Sequence, residues 1–336
     1  MKLQFPARIM FALFALALTT CFCACNRTDQ KPVGQPDKIT IAFATLPETA
    51  IAQVAQMNGF FLQEGLEVTV HKCPYGKLAL KEVLEGKADF ATVAETPFMF
   101  AVMKGERISV IATILTSSLG HAIVARLDRG VRTLGDLKGK KIAATLGTTS
   151  DFFLESILVT HEISRKDVDI VDMKADKIPD ALANGEIDAV SAFPPYSALA
   201  QKKLGDHAIT FRDKDVYRYT FNVVATQEFI HNNPDKVKKM LGALVKSEDF
   251  VRENTVKAQK NVADFSGIET GMVRDIWTDA SFVVKLDQAL ILALEDESQW
   301  AINGGLTNAR SVPNYLDFIY LDGLKAVKPG AVRILR

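Results

Sequence analysis

The stretch LEGKADFATV, residues 84–93, decides the fold. A second stretch with the same Gly-x-x-Asp pattern, ANGEIDAVSA, occurs at residues 183–192. Each stretch starts at the end of a helical pattern, passes through Gly86 or Gly185 and ends in a short β-rich run. Glycine suits the left-handed backbone conformation that follows the end of a helix. One Gly-x-x-Asp sequence would mean little, but here it closes two long segments with the same order of predicted elements. The recurrence predicts two similar lobes.

The sequence before each of these glycines follows one plan of strand, loop, helix, strand and helix. Short β-rich runs alternate with longer helical patterns, which is typical of an α/β fold with a mostly parallel sheet. The predicted strands are 39–43, 66–72 and 88–93 in the first unit and 141–145, 168–173 and 187–192 in the second, and the predicted helices are 50–63, 77–85, 151–160 and 176–184.

Two further β-rich runs, 121–126 and 220–225, predict where the chain crosses between the lobes. The chain would leave the first lobe near Gly120 and return to it near Thr220. Helical patterns dominate after the second run, beginning with Pro234 at a first helical position, where a missing N–H breaks no hydrogen bond. We therefore predict lobes joined by a two-strand hinge, with 38–119 plus 220–336 in lobe I and 120–219 in lobe II.

Residues 1–24 have the pattern of a secretory signal. Basic residues come first, an apolar run follows at 9–17, and a small residue precedes Cys25, which is the order that defines such signals. The apolar run is shorter than the roughly 20 residues of a membrane-spanning helix. Residues 25–37 are polar and contain prolines and a glycine, so they predict a flexible tether.

Three cysteines, Cys21, Cys23 and Cys25, lie at the end of the signal. Their spacing could suit a metal tract, but a folded metal site is implausible inside a signal. The segment resembles a bacterial lipobox, in which a cysteine after a small residue is acylated and becomes the first residue of the mature chain. Cys25, preceded by Ala24, is the predicted lipidation site. Cys21 is the alternative, and plain cleavage to a soluble periplasmic product is another.

Charge, length and cysteine content exclude some classes of function. The chain has 40 basic and 40 acidic side chains and no basic stripe, so nothing indicates a nucleic-acid partner. Its 336 residues exceed the usual size of a single hydrophobic core, which favours two lobes. If cleavage precedes Cys25, Cys73 is the other cysteine that remains, and we expect no disulfide framework.

Motifs for catalysis and metal binding are weak. The five histidines are scattered and include no His-x-x-x-His pair. Gly130 and Gly135 have the spacing of a phosphate-binding loop, but Asp136 follows where that loop requires lysine. The sequence contains no nucleophile elbow. We therefore predict a binding protein rather than an enzyme, with no cofactor and no metal.

Six short motifs occur in an order typical of one family. They are NGFF, EGL, GKADF, DLKGKKI, ALANGEIDA and YLDGL, at 58–61, 64–66, 86–90, 136–142, 181–189 and 320–324. From about residue 38 onward the chain resembles the nitrate/sulfonate/taurine-type substrate-binding proteins of ABC importers. The resemblance implies an α/β periplasmic-binding-protein type II fold, a small-molecule ligand between the lobes, ABC permease subunits as partners, a monomer, and a place in the periplasm or at the outer face of a bacterial membrane.

Two other functions stay open for this fold. One is a ligand-sensing lipoprotein that docks onto a membrane receptor instead of serving transport. The other is an enzyme, because the same fold includes the fungal pyrimidine-precursor synthases of thiamine biosynthesis. The lysine and histidine residues that such a synthase needs have no place in this sequence that we can identify.

Ligands of open α/β sheets bind in the crevice outside the carboxyl ends of the strands. The family resemblance implies the same place, with loops of both lobes gripping the ligand. The predicted ligand-binding residues are therefore Pro47, Glu48, Thr49, Glu95, Thr96, Pro97, Gly147, Thr148, Thr149, Ser150, Ser191, Phe193, Pro194 and Tyr196, with Asn222 from the returning strand.

The helix start from Gly147 to Ser150 is the strongest candidate. Its free N–H groups and hydroxyls could bind an oxyanion without formal charge; alternatively, the hydroxyls only cap their own helix. Glu48 and Glu95 are either exposed surface charges or acceptors for an ammonium or other donor. Phe193 to Tyr196 would form an aromatic wall or pack at the hinge. Because these loops lack lysine and arginine, we expect a ligand with one anionic and one donor end, like an aminosulfonate or an amino acid.

Overall fold

The structure is a computed structural model that describes residues 35–335. The predicted signal, the three cysteines beside it and most of the predicted tether lie outside these residues. The described residues contain β1 (Asp37–Ala44), β2 (Leu66–Cys73), β3 (Phe90–Ala94), β4 (Ile108–Ser117), β5 (Ala122–Arg126), β6 (Lys141–Ala144), β7 (Asp169–Asp172), β8 (Ala189–Ala192), β9 (Ala208–Phe211), β10 (Tyr219–Thr226), β11 (Leu286–Asp287) and β12 (Val332–Arg333).

Helices connect and flank these strands. They are α1 (Ala50–Met57), α2 (Phe60–Gln63), α3 (Gly76–Leu84), α4 (Glu95–Met103), α5 (Thr149–Thr160), α6 (Ile178–Ala183), α7 (Tyr196–Leu204), α8 (Gln227–Asn232), α9 (Pro234–Glu253), α10 (Thr255–Ser266), α11 (Thr270–Trp277), α12 (Gln288–Asn303) and α13 (Leu321–Val327). Among residues 35–335 we find no helix with the length and apolarity that a membrane crossing requires.

Two five-stranded sheets with one topology form the centres of the two lobes. Their orders are β2-β1-β3-β10-β4 and β7-β6-β8-β5-β9. In each sheet the first three strands are parallel, and the fourth runs antiparallel to both of its neighbours. The prediction of two similar α/β lobes is therefore confirmed.

The recurring Gly-x-x-Asp sequence makes the same contacts in both lobes. The glycines of the two copies have φ of 68° and 75°, a conformation in which glycine is favoured because it lacks a Cβ. The carboxylate of Asp89 accepts from the N–H of Thr40 at 2.7 Å, and that of Asp188 accepts from the N–H of Lys141 at 2.9 Å. Asp89 thus fixes the start of β3 against β1, and Asp188 fixes the start of β8 against β6.

The chain crosses between the lobes twice, from β4 to β5 and from β9 to β10. The crossing residues, 118–121 and 212–218, are not in strands, and β5 and β10 begin directly after them. The stretch that starts the first crossing is held by Asp279, whose Oδ2 accepts from Ser117 Oγ at 2.7 Å and from the N–H of Leu119 at 2.8 Å. The lobe limits 38–119 plus 220–336 and 120–219 stay a prediction about which parts move together.

Several parts of the chain differ from the predicted elements, and strands β9, β11 and β12 had no prediction. The predicted helix 50–63 is divided into α1 and α2 at Gly59, which has φ of 69°. Glu95 to Pro97, predicted as a loop, form the first turn of α4, where proline is tolerated because first-turn N–H groups have no intrahelical partner. Strand β4 had no prediction. All ten of its residues are buried, so it lacks the alternation that marks a half-exposed strand.

Sheet one has a continuous apolar interior. Ile41, Phe90 and Val223, on three neighbouring strands, are fully buried, as expected for a sheet covered on both faces. The C-terminal helices pack on this lobe, where Ser247 of α9 donates its hydroxyl to the carbonyl of Ile51 in α1 at 2.6 Å. This packing leaves the carboxyl ends of the strands free to face the other lobe.

Candidate functional site

A cavity lies between the lobes, outside the carboxyl ends of β1, β2, β3, β6 and β8. Together with the space at its mouth that is open to solvent, it contains about 340 Å³ that protein atoms do not fill. Both lobes contribute to its wall, as do the first crossing and the start of β10. The lining residues are Leu46, Glu48, Tyr75, Gly76, Lys77, Ala94, Pro97, His121, Thr148, Thr149, Phe193, Tyr219 and Phe221.

Glu48 is held in the cavity wall by a rigid turn. The turn Pro47–Thr49 follows β1 directly, and Thr49 Oγ1 fixes it by donating to the carbonyl of Ala44 at 2.9 Å. Glu48 is 1% exposed, and its Oε2 has no hydrogen-bond partner among residues 35–335. Burial raises the pKa of this carboxyl to about 8. The cavity wall therefore contains a buried acid that is mainly neutral at pH 7 and whose Oε2 has no partner in the described protein.

His121, in the first crossing, is a neutral polar group in the cavity wall. Its Nε2 shares a hydrogen bond of 2.7 Å with Thr149 Oγ1, while its Nδ1 has no partner in the described part of the chain. Burial lowers the pKa of the imidazole to about 3, so the ring is uncharged at neutral pH. Nδ1 can accept or donate according to which way the hydroxyl of Thr149 is turned.

Aromatic rings from both lobes surround these polar groups. The ring centroids of Tyr75 and Phe193 are 6.2 Å apart, those of Phe193 and His121 6.3 Å, and those of His121 and Tyr219 4.5 Å. Phe221 lines the same space. Phe193 comes from the second lobe, Tyr75 from the first lobe, and Tyr219 from the start of β10. This aromatic belt is therefore complete only when the lobes meet.

Tyr219 occupies a place that only glycine leaves open. A Cβ added at Gly120 would lie 2.1 Å from the Tyr219 hydroxyl, so the first crossing needs glycine at this point. The hydroxyl itself lacks a hydrogen-bond partner within the described residues. Burial, and next the nearby charge of Glu48, raise the pKa of Tyr219 well above its usual value. Tyr219 is therefore a neutral hydroxyl at physiological pH.

Most polar groups at the helix start from Gly147 to Ser150 form hydrogen bonds with nearby groups of the same segment. Thr148 Oγ1 donates to the carbonyl of Thr145 at 2.6 Å and accepts from the N–H of Ser150 at 3.3 Å. The N–H of Gly147 donates to Asp151 Oδ2 at 3.0 Å, so a carboxylate of the protein already lies at this helix N-terminus. The capping alternative therefore describes most of these groups, although Thr148 and Thr149 also line the cavity.

Glu95, Thr96 and Asn222 belong to a separate buried network. The hydroxyl of Tyr217 hydrogen-bonds to both Glu95 and Glu297, the latter at 3.1 Å, and Thr96 donates to Glu297 at 2.9 Å. Burial raises the pKa of Glu95 to about 7. Burial, and next the charge of Glu95, raise the pKa of Glu297 further above its usual value.

The remaining predicted residues have other contacts. Ser191 Oγ donates to the carbonyl of Ser150 at 2.7 Å, and Tyr196 OH donates to the carbonyl of Pro74 in the other lobe at 3.3 Å. Pro194 lines a different surface groove behind the hinge. Of the fifteen predicted residues, those that line the cavity are Glu48, Pro97, Thr148, Thr149 and Phe193.

Lys77 is the most informative residue that the sequence prediction omitted. Its Nζ donates to the carbonyl of Leu146 in the second lobe at 2.7 Å, and burial lowers the pKa of its ammonium. Tyr75 and Lys77 lie just beyond the carboxyl end of β2, so the expectation that ligands bind outside such ends applies to them too. His121 and Tyr219 lie at the amino ends of β5 and β10, which run antiparallel to β8 and β3 and therefore begin at the same edge of each sheet. The predicted crossings are the sequence signal that places these two residues at the cleft.

Comparison with known proteins agrees with the two-lobed fold and the site between its lobes. The sequence profile described as NMT1/THI5 like matches residues 47–258. This chain belongs to the NMT1/THI5-like family. The match includes β3, β6 and β8 and every cavity residue except Leu46, which precedes it. The resemblance that the sequence motifs predicted is thereby confirmed.

Two relatives place this member of the NMT1/THI5-like family among binding proteins. YtlA of Bacillus subtilis (strain 168) is 28% identical over 255 residues, covering 74% of this chain and 73% of YtlA. The taurine-binding periplasmic protein of Escherichia coli (strain K12) is 24% identical over 251 residues, covering 71% of this chain and 76% of that protein.

Solved structures share the fold of this NMT1/THI5-like protein. The periplasmic aliphatic sulphonate binding protein SsuA of Escherichia coli superposes with a TM-score of 0.71 at 16% identity, covering 85% of this chain and 98% of its own. The desulfurization enzyme DSZB superposes with a TM-score of 0.64 at 16% identity, covering 88% and 99%. The fold therefore serves both binding and catalysis, and the site must decide between them.

Proposed function

We propose that this protein is the extracytoplasmic substrate-binding component of an ABC importer. The proposal depends on one observation: Glu48, His121 and Tyr219 line the cavity between the lobes, and each has a buried polar atom without a partner among the described residues. Buried polar groups without partners destabilise a fold. A ligand that hydrogen-bonds to them would therefore hold the lobes together, which is how a two-lobed binding protein reports its loaded state.

The proposed ligand is a small organic molecule of the sulfonate or taurine type, or a related zwitterion. Glu48 would accept from a donor end of the ligand. Lys77 and the hydroxyls of Thr148 and Thr149 would bind its acceptor or anionic end. The taurine-binding relative supports a ligand of this class.

We further propose a lipid anchor at Cys25, after cleavage of residues 1–24. The anchored monomer would present its ligand to ABC permease subunits from the periplasm or the outer face of the membrane. Changing Cys25 to serine should move the protein from the membrane fraction to the soluble fraction, and Cys73→Ser is the matched control that should not. Retention of Cys25→Ser in the membrane would instead support Cys21 as the acylated residue or an uncleaved segment as the anchor.

The function is tested on the purified chain that begins after Cys25. Native mass spectrometry should show one copurifying small molecule per protein, and calorimetry with that molecule should give 1:1 binding. The molecule should be recovered unchanged after prolonged incubation. Its sustained conversion to a product would show an enzyme of this fold, as DSZB is. Failure to bind any small molecule would contradict the proposed function itself.

A further inference from the structure

We propose that the ligand carries an ammonium group, primary to quaternary, which is bound against Glu48 inside the aromatic belt of Tyr75, Phe193, His121 and Tyr219. This inference rests on the proposed function and specifies the ligand class. It makes the cation, rather than a sulfonate or other anion, the part of the ligand that the site requires.

The first argument is the missing partner of Glu48. Its Oε2 is buried in the cavity wall without a partner in residues 35–335, and an unpaired buried carboxylate is so unfavourable that the group stays protonated until a cation pairs with it. The cation of Lys77 lines the same cavity, but its Nζ is bound to the carbonyl of Leu146. His121 is neutral. A cation supplied by the ligand is therefore the partner that this site lacks.

The second argument is the aromatic belt. The faces of aromatic rings attract cations, most strongly where water is excluded, and cages of such rings bind alkylated ammonium groups. The contacts Tyr75–Phe193, Phe193–His121 and His121–Tyr219 form a continuous row around the cavity. An anion would gain no such attraction from ring faces, and an ionised Glu48 would repel it.

The third argument is that the best anion site is already used. Asp151 places its carboxylate at the N-terminus of α5, where it accepts from the N–H of Gly147 at 3.0 Å and pairs with Arg165 at 2.9 Å. An anionic end of the ligand can still contact Lys77 and the hydroxyl of Thr149. Such an end adds to binding but does not replace the ammonium group.

The inference has a proton signature. With a pKa of about 8, Glu48 is mainly protonated in the empty site at pH 7, and it must ionise to pair with an ammonium group. Ligand binding at pH 7 should therefore release close to one proton, and affinity should rise with pH until it levels off above about pH 8. His121, with a pKa of about 3, and Tyr196, with a pKa of about 12, do not titrate in this range, and burial raises the pKa of Tyr75 and of Tyr219. Lys77 lines the same cavity, and the variant Lys77→Met measures its share.

The experiment is calorimetry with two pairs of probes that differ only in the ammonium group. Choline is compared with its uncharged carbon analogue 3,3-dimethylbutan-1-ol, and taurine with ethanesulfonate. The ammonium member of at least one pair should bind tenfold or more tightly than its partner. Buffers of different ionisation enthalpy give the number of protons released.

The variant Glu48→Gln keeps the shape of the side chain and removes its charge. It should weaken binding of the ammonium probe about 10- to 150-fold and abolish the proton release. Glu253→Gln, the same change on the exposed end of α9, should leave both unchanged. Thermal unfolding of all variants confirms that they are folded.

The inference is overturned if ethanesulfonate binds as tightly as taurine and the uncharged alcohol as tightly as choline, if none of the four probes binds, or if Glu48→Gln leaves affinity and proton release unchanged. The proposed function survives each of these outcomes when another small molecule copurifies and binds 1:1. It fails when no small molecule binds or when the bound molecule is converted to a product, so the two failures are distinguishable.

Discussion

At the scale of single residues, Glu95 and Glu297 link the stability of the protein to pH. Both carboxyls bind the hydroxyl of Tyr217, and burial raises the pKa of Glu95 from 4.5 to about 7. Between these values the folded protein keeps a proton that the unfolded chain has lost. The contribution of Glu95 to the free energy of unfolding is therefore fully present below about pH 4.5 and decreases as pH rises to about 7.

We expect Glu95→Gln to remove this decrease. Between pH 5 and pH 7 the free energy of unfolding of the wild type should fall relative to that of the variant by roughly 2 kcal/mol, measured by urea denaturation. Glu253→Gln, at an exposed carboxylate, should follow the wild type at every pH. Parallel profiles for the wild type and Glu95→Gln would contradict the raised pKa.

A comparison of Glu48 with Glu95 shows what sequence alone can say about a residue. Glu48 and Glu95 both lie directly after strands of the first sheet, and the sequence predicted the same alternatives for each. Their environments differ because Tyr217 and Thr220 reach Glu95 from more than a hundred residues away, whereas nothing in the described chain reaches Oε2 of Glu48. Proximity to the cleft follows from strand order, but the presence of a partner depends on the packing of distant segments.

At the scale of elements, Asp279, two residues after the end of α11, holds the start of the first crossing. Its Oδ2 accepts from Ser117 Oγ and from the N–H groups of Ser118 and Leu119, at 2.5 to 2.8 Å. Asp279→Ala should lower the free energy of unfolding by about 1–3 kcal/mol, because three donors lose a charged acceptor. Asp275→Ala, on the exposed end of α11, is the control. Equal stability of the two variants in urea denaturation would show that Asp279 does not secure the crossing.

Elements with a local signal could be predicted from the sequence, and those without one could not. The two Gly-x-x-Asp stretches located β3 and β8, since the glycine and the aspartate make the same local contacts in both lobes. Strand β4 is wholly buried, so its sequence shows no alternation of apolar and polar residues. Its place in the sheet becomes clear only from its pairing with β10. The break at Gly59 depends on a single left-handed residue inside a helical pattern.

At the scale of the whole molecule, two hydrogen bonds join the lobes at the cavity. They run from Lys77 Nζ to the carbonyl of Leu146 and from Tyr196 OH to the carbonyl of Pro74. Each pairs a flexible side chain of one lobe with the backbone of the other, so separation of the lobes breaks both while leaving each lobe's sheet intact. The hinge predicted from the duplicated strand order and the two crossings would therefore make and break specific contacts that can be removed individually.

Lys77→Met should favour the open form of the ligand-free protein. One hydrogen bond contributes a net free energy of about 0.5–1.5 kcal/mol. Its loss should shift the ratio of closed to open molecules about two- to tenfold. Small-angle X-ray scattering should give a larger radius of gyration for ligand-free Lys77→Met than for the wild type, and saturating ligand should bring the two together. Lys81→Met, one turn further along α3 and paired there with Glu85, should match the wild type. If all three ligand-free proteins have the same radius of gyration, the contact between Lys77 and Leu146 does not control closure, and other contacts between the lobes, such as that of Tyr196 with Pro74, hold them together.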